Sequence, residues 1–125
     1  MTYPNVKVAN CDKDGRLSIT ADAFSEMAAV QLMEISRMPE GFQKACLYFN
    51  FAKSCADMAR DDDASYYYGL VLRQCMADGQ VKEGYEQLAE EAYQGLASLT
   101  YSDDERAWER SSAILEEYRS LFETD

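Results

Sequence analysis

The sequence predicts a mainly α-helical fold of about five helices in antiparallel hairpins, a helical bundle or repeat-like array, with a short N-terminal β-hairpin. Three observations carry this. From residue 21 onward, apolar residues recur three and four positions apart, most cleanly at Val81, Tyr85, Leu88, Ala92, Leu96 and Leu99. The stretches are separated by short helix-stopping or helix-starting signals at Pro39, Asp61-Asp62-Asp63, Asp78-Gly79 and Ser102-Asp103-Asp104-Glu105. Alternation of apolar with other residues, the strand pattern, is confined to residues 6–20. The 125 residues fit a single domain, 1–125, with enough apolar content to bury a core without disulfides or metal.

Residues 6–20 read as the hairpin. Val6 and Val8 alternate with Lys7 and Ala9, Leu17 and Ile19 alternate with Arg16, Ser18 and Thr20, and Asp12-Lys13-Asp14-Gly15 supplies the turn. If Cys11 pairs with Arg16, Val8 stands opposite Ile19 and the four aliphatic residues share one face. A lone hairpin is marginal in water, so that face is expected to pack on helices.

The remainder, 21–125, reads as helix. Thr20 or Asp22 can cap a first helix running to about Arg37, which Pro39 ends by disfavouring helical geometry at Met38. A second helix covers about 40–60, and both are apolar around so much of their circumference that they are expected in a core or an interface. Asp61-Asp62-Asp63 opens a third helix, where negative charge offsets the helix dipole, and Asp78-Gly79 stops it. The fourth carries the 81–99 stripe, with Glu83, Glu86, Glu90, Glu91 and Gln94 facing away. Ser102 and Glu105 form a capping box that opens a fifth helix, with an inward stripe of Trp108, Ser111, Leu115, Tyr118 and Phe122. The helix–turn–helix stretch of about 64–98, with Tyr66-Tyr67-Tyr68-Gly69 near its start and Asp78-Gly79 at its turn, resembles a tetratricopeptide-type repeat. That resemblance implies antiparallel helical hairpins and carries no functional residues across.

Charge narrows the function. Residues 1–60 hold seven acids and seven bases, whereas residues 61–125 hold the other 16 of the 23 acids and only five bases, so the second half accounts for the whole net charge of −11. A one-sided acidic field repels nucleic acid and anionic membrane and attracts basic protein surfaces. No positively charged start precedes an apolar run, and no apolar stretch is long enough to span a bilayer, so a cytoplasmic location is expected. In that compartment the four cysteines are expected to be reduced, and none are spaced as C-x-x-C.

Catalysis has little to stand on. There is no histidine, which removes Ser-His and Cys-His nucleophile activation, and no glycine-rich phosphate loop. Glu90-Glu91 and Glu116-Glu117 are helix neighbours that point about 100° apart and cannot form a carboxylate dyad by adjacency. A calcium loop is the weak metal candidate: Asn10, Asp12, Asp14, Gly15, Leu17 and Ser18 fit an EF-hand pattern, but Ala21 stands where the bidentate Glu is required. No cofactor is expected.

The function expected is therefore non-enzymatic binding of a protein partner with a basic surface, through Asp61, Asp62, Asp63, Glu83, Glu86, Glu90, Asp104 and Glu109. Carboxylates recurring on successive helices could mimic a phosphate array and act as a decoy for a nucleic-acid-binding protein. In charge and size the chain resembles the small acidic helical inhibitors of restriction or CRISPR-type machinery. Consecutive Tyr66, Tyr67 and Tyr68 point three ways from a helix, so at least one is expected at the surface; Tyr66 and Tyr67 join the contact candidates. The alternative is an adaptor or chaperone with an apolar groove lined by these tyrosines and Met27, Met33, Met38 and Met58, or a homodimer through the first two helices. A third alternative is calcium-dependent regulation through the 10–21 loop.

Overall fold

A computed structural model describes residues 8–9, 18–19 and 21–123, with side chains from Glu26 onward. The fold is mainly helical, with five helices among the described residues: α1 (Ala21–Ser36), α2 (Phe42–Asp57), α3 (Asp61–Gln74), α4 (Glu86–Leu99) and α5 (Glu105–Phe122). The chain divides into two compact units, Met1–Met38 and Pro39–Asp125.

In the first unit, β1 (Val8–Ala9) pairs antiparallel with β2 (Ser18–Ile19), Val8 opposite Ile19. The turn between them, including Asp12 and Asp14, lies outside the described residues. Helix α1 ends two residues before Met38, whose N–H reaches back to the Ile35 carbonyl at 3.0 Å ahead of Pro39. Val30 and Met33 are exposed on it.

The hairpin described with its turn lies in the second unit, at residues 76–81, which corrects the expectation of a single, N-terminal hairpin and of a mere helix stop at Asp78-Gly79. Strands β3 (Met76–Ala77) and β4 (Gln80–Val81) pair antiparallel, with Met76 opposite Val81. Asp78 and Gly79 both take positive φ, 55° and 78°, the pattern of a tight two-residue hairpin turn that favours Asp-Gly. The Lys82 N–H donates to the Cys75 carbonyl at 2.7 Å and closes the base of the hairpin. The same Asp-Gly pair thus does more than stop α3: it turns the chain into a strand. Val81 belongs to that strand, and α4 starts later than the apolar stripe suggests, where the Glu86 carboxylate accepts from the Gly84 N–H at 2.8 and 3.0 Å.

Helix α3 is the hub of this unit. It packs against α2, α4 and α5, and α4 also packs against α5. Its Ala64, Val71 and Leu72, with Cys75 just beyond, are completely buried, alongside Ala52 and Cys55 of α2, Ala89, Ala92 and Leu96 of α4 and Ala107 of α5. Two helical glycines permit the close approach. A methyl at Gly95 would sit 2.7–2.9 Å from three atoms of the Tyr68 ring, and one at Gly69 would meet Ile114 Cδ1 at 2.6 Å. Aromatic rings join α2 to α3: Phe51 meets Tyr67 edge-on at 4.9 Å, Tyr48 stacks on Tyr67 at 6.1 Å, and Phe49 tilts against Tyr68 at 5.6 Å.

Helix α5 departs from expectation at both its cap and its face. Asp104 is the N-cap, its carboxylate accepting from the N–H groups of Arg106 at 2.9 Å and Ala107 at 3.3 Å. Ser102 is not the cap, because its hydroxyl accepts from the Asp104 N–H at 3.0 Å and donates to Asp61 at 2.6 Å. The buried positions are Ala107, Ser111 and Ile114, whereas Leu115, Tyr118 and Phe122 are half-buried and Trp108 is 41% exposed. The contacts of Arg110 with Asp62 and of Ile114 with Gly69 rotate the helix toward α3, so its core stripe is one position out of phase with the large apolar residues.

Candidate functional site

Between residues 83 and 123 there are 11 acids and three bases, and all 11 carboxylates are exposed. They are Glu83, Glu86, Glu90 and Glu91 on or just before α4, Asp103, Asp104 and Glu105 at the turn into α5, and Glu109, Glu116, Glu117 and Glu123 along it. Of the bases, Arg110 is half-buried against α3, leaving Arg106 and Arg119 at the surface. The position of each carboxylate follows from amphipathic helix geometry, since α4 turns Leu88, Ala92, Leu96 and Leu99 inward and its glutamates outward.

Among the other contact candidates, the three aspartates that open α3 are half-buried and have partners within the chain. Asp61 accepts from Ser102, Asp62 pairs with Arg110, and Asp63 pairs with Arg60 at 3.2 Å. Arg110 also donates to the Asp62 carbonyl at 2.8 Å and to Ser65 Oγ at 3.0 Å, so this cluster fastens α5 onto the start of α3. Asp104 caps α5 and Glu86 caps the turn before α4, each while remaining exposed. Glu90 accepts from Gln94 Nε2 at 3.2 Å on its own helix. Glu83 and Glu109 are exposed in turn and helix respectively.

The tyrosine run separates as its helical spacing predicts. Tyr68 is buried under Gly95, Tyr67 is half-buried between Tyr48, Phe51 and Tyr66, and Tyr66 is 53% exposed with the Arg110 guanidinium 5.8 Å from its ring centre. Desolvation, then the Tyr66, Asp63, Cys55 and Tyr48 neighbours, push the Tyr67 phenol above its ordinary pKa. Asn10, Asp12 and Asp14 lie outside the described residues. Among the described residues, no group of three His, Cys, Asp or Glu side chains could hold a metal ion. Cys46, Cys55 and Cys75 are free thiols. Burial pushes Cys55 up to about 12 and Cys75 up to about 11, and it also raises Cys46, all away from the thiolate a nucleophile needs. No described helix is long and apolar enough to cross a membrane.

One concavity lies on the acidic surface. Ser112, Leu115, Glu116, Arg119 and Glu123 of α5 line a shallow, open groove of about 230 Å³. Arg119 and Glu116 pair loosely across it at 3.5 Å. At its end the buried Tyr93 of α4 donates its hydroxyl to Glu123 and stacks its ring on Phe122 at 4.5 Å. Burial first, then the hydrogen bond and charge of Glu123, push the Tyr93 phenol up to about 12.

Sequence reasoning missed several surface aromatics, Trp108 and Tyr101 among them. Trp108 reads as core from its place in the stripe, and only the one-position rotation of α5 exposes it. Tyr101, 89% exposed in the α4–α5 turn, carries no periodic signal at all. No protein-family model, curated protein or solved structure matches the chain.

Proposed function

We propose that this protein is a non-enzymatic binding protein whose acidic α4–α5 surface engages a basic surface on a protein partner. In its sharper form it is an inhibitor or decoy that occupies the nucleic-acid site of that partner, in the cytoplasm. The observation that supports it is the uniform exposure of the carboxylates from Glu83 to Glu123, with two exposed arginines among them. Such a surface raises the encounter rate with a basic partner and repels nucleic acid itself. Glu83, Glu86, Glu90, Asp104 and Glu109 are its contact residues, while Asp61, Asp62 and Asp63 support the scaffold beneath. The helices of the second unit run as antiparallel hairpins in this reading. Asp62 with Arg110 and Gly69 with Ile114 ascend α3 and α5 together, as alternate helices of such an array would.

The test is capture from a host lysate on the immobilised protein with a salt-step elution, followed by a nucleic-acid-binding assay on whatever is captured. A basic protein that leaves at moderate salt and loses its nucleic acid stoichiometrically when this chain is added supports the proposal. Charges separated by more than about 10 Å are largely screened at 0.1 M salt, so the association must weaken steeply as salt rises. Replacing Glu83, Glu86 and Glu90 with Lys must abolish binding while the far-ultraviolet circular dichroism stays helical. Unchanged affinity in that variant overturns the reading. A salt-resistant partner instead favours an adaptor using apolar contacts, for which exposed Tyr66 is the one tyrosine of the run in place.

A further inference from the structure

Trp108, the single tryptophan, stands on the same stripe of α5 as the groove: residues 108, 112, 115, 119 and 123 follow at spacings of three and four. Together they form a strip about 22 Å long, with the indole at one end, Leu115 as an apolar floor and Glu116 beside it in the middle, and Glu123 at the other end. Asp104 and Glu105 lie one turn before Trp108 on its own side of the helix, so the exposed indole is flanked by two exposed carboxylates. These also offset the positive end of the helix dipole, which otherwise disfavours a cation there.

Two other rings on the acidic half receive a cation from within the chain. Arg110 lies over Tyr66 at 5.8 Å and Lys82 over Tyr85 at 4.5 Å. Among the described residues no such cation lies over Trp108, although tryptophan is the best ring for one. Arg106, the nearest exposed base in sequence, projects about 160° away around the helix. The groove is too shallow and open to enclose a small molecule, which calls for deep burial of its ligand, and its length suits a segment of polypeptide.

We propose that the Trp108–Glu123 strip of α5 receives an arginine-bearing segment of a basic protein, one guanidinium packing flat on Trp108 while further bases meet Glu116 and Glu123. The assignment rests on the acidic-surface reading above and adds to it a choice of arginine over lysine. The planar guanidinium can stack on the indole and still bond to Glu105 edge-on, whereas an ammonium cannot do both as well.

The probes are fluorescein-labelled nona-arginine and nona-lysine peptides of equal charge, titrated by anisotropy against the full chain. Nona-arginine is expected to bind about two- to fivefold more tightly, the range a surface cation–π contact supplies. Trp108→Leu, which keeps an apolar side chain at an exposed position, is expected to erase that preference while nona-lysine affinity stays within a factor of two. Glu105→Gln with Glu109→Gln is expected to weaken both peptides. Equal affinity for the two peptides, or a preference that survives Trp108→Leu, overturns this assignment and leaves the acidic-surface reading standing. Failure of both peptides to bind at low salt overturns the two together. Self-association that shields Trp108 from iodide quenching and disappears in Trp108→Leu gives the strip to a second copy of the chain, and likewise overturns it.

Discussion

Gly95 is the position where the packing is tightest and the expected effect of a single methyl can be worked through. On an open helix surface, replacing Gly with Ala favours the helix by about 1 kcal/mol. At Gly95 the new methyl lands 2.7–2.9 Å from Cζ, Cε1 and Cε2 of Tyr68, a ring that is itself 6% exposed and held by Phe49. A buried ring cannot swing aside as a chain end can, so α3 and α4 must part, and overpacking of this kind costs about 1–3 kcal/mol. The two effects leave a net destabilisation of about 1 kcal/mol for Gly95→Ala. Gly69→Ala meets a single terminal methyl, Ile114 Cδ1, that can change rotamer, so the helix gain largely offsets its cost. Thermal unfolding followed at 222 nm should place Gly95→Ala about 4 °C below the parent, with Gly69→Ala near it. Tyr68→Leu should make the Gly95 substitution better tolerated, a coupling visible in a double-mutant cycle. Gly95→Ala matching or exceeding the parent's stability refutes the argument, because it means the ring yields and the helices are not held by that contact.

Other consequences are as direct. Arg110→Ala removes one guanidinium from Asp62 and Ser65 at a site about one-third exposed, and it should cost about 1–2 kcal/mol in urea unfolding. Ser111 Oγ is buried without a hydrogen-bond partner, so Ser111→Ala should be neutral or raise stability by up to about 1 kcal/mol. The thiols of Cys55 and Cys75 and the phenol of Tyr93 hold their protons more tightly folded than unfolded. The unfolded chain therefore releases protons first as pH rises. Their contribution is complete below about pH 9, the ordinary thiol value, and is lost progressively toward pH 11–12, which equilibrium unfolding across that range will reveal. A disulfide-exchange reagent at pH 8 should label Cys46, which is partly exposed, well before Cys55 and Cys75, whose reaction should await unfolding.

The helical class was legible because apolar periodicity is a local property of the chain, and α4 shows it best: Leu88, Ala92, Leu96 and Leu99 are all buried as spaced. What escaped was set by contacts distant in sequence. The phase of α5 depends on Arg110 reaching Asp62 and on the space above Gly69, so size alone pointed to Trp108 where Ala107 and Ile114 are the buried residues. The cap moved from Ser102 to Asp104 for the same reason, since Ser102 is engaged with Asp61. The Met76–Val81 hairpin did carry a local signal, Asp-Gly between short apolar steps, but strands of two residues leave no alternation long enough to separate from flanking helices. The acidic surface was legible in number and in half of the chain. Which carboxylates support the scaffold and which face outward was not, because Asp61–Asp63 differ from Glu83–Glu123 only in what folds against them.

Asp61, Asp62 and Asp63 are three copies of one letter, yet each answers to a different residue: Ser102, Arg110 and Arg60. A copying slip that deleted or duplicated one of them would barely alter the composition and would leave the run looking intact. It would nonetheless turn every following residue of α3 by about 100° relative to Arg60. The triplet is thus a vernier: its redundancy is only apparent, and its count, as much as its charge, keeps the first turn of α3 in step with two places more than 40 residues away.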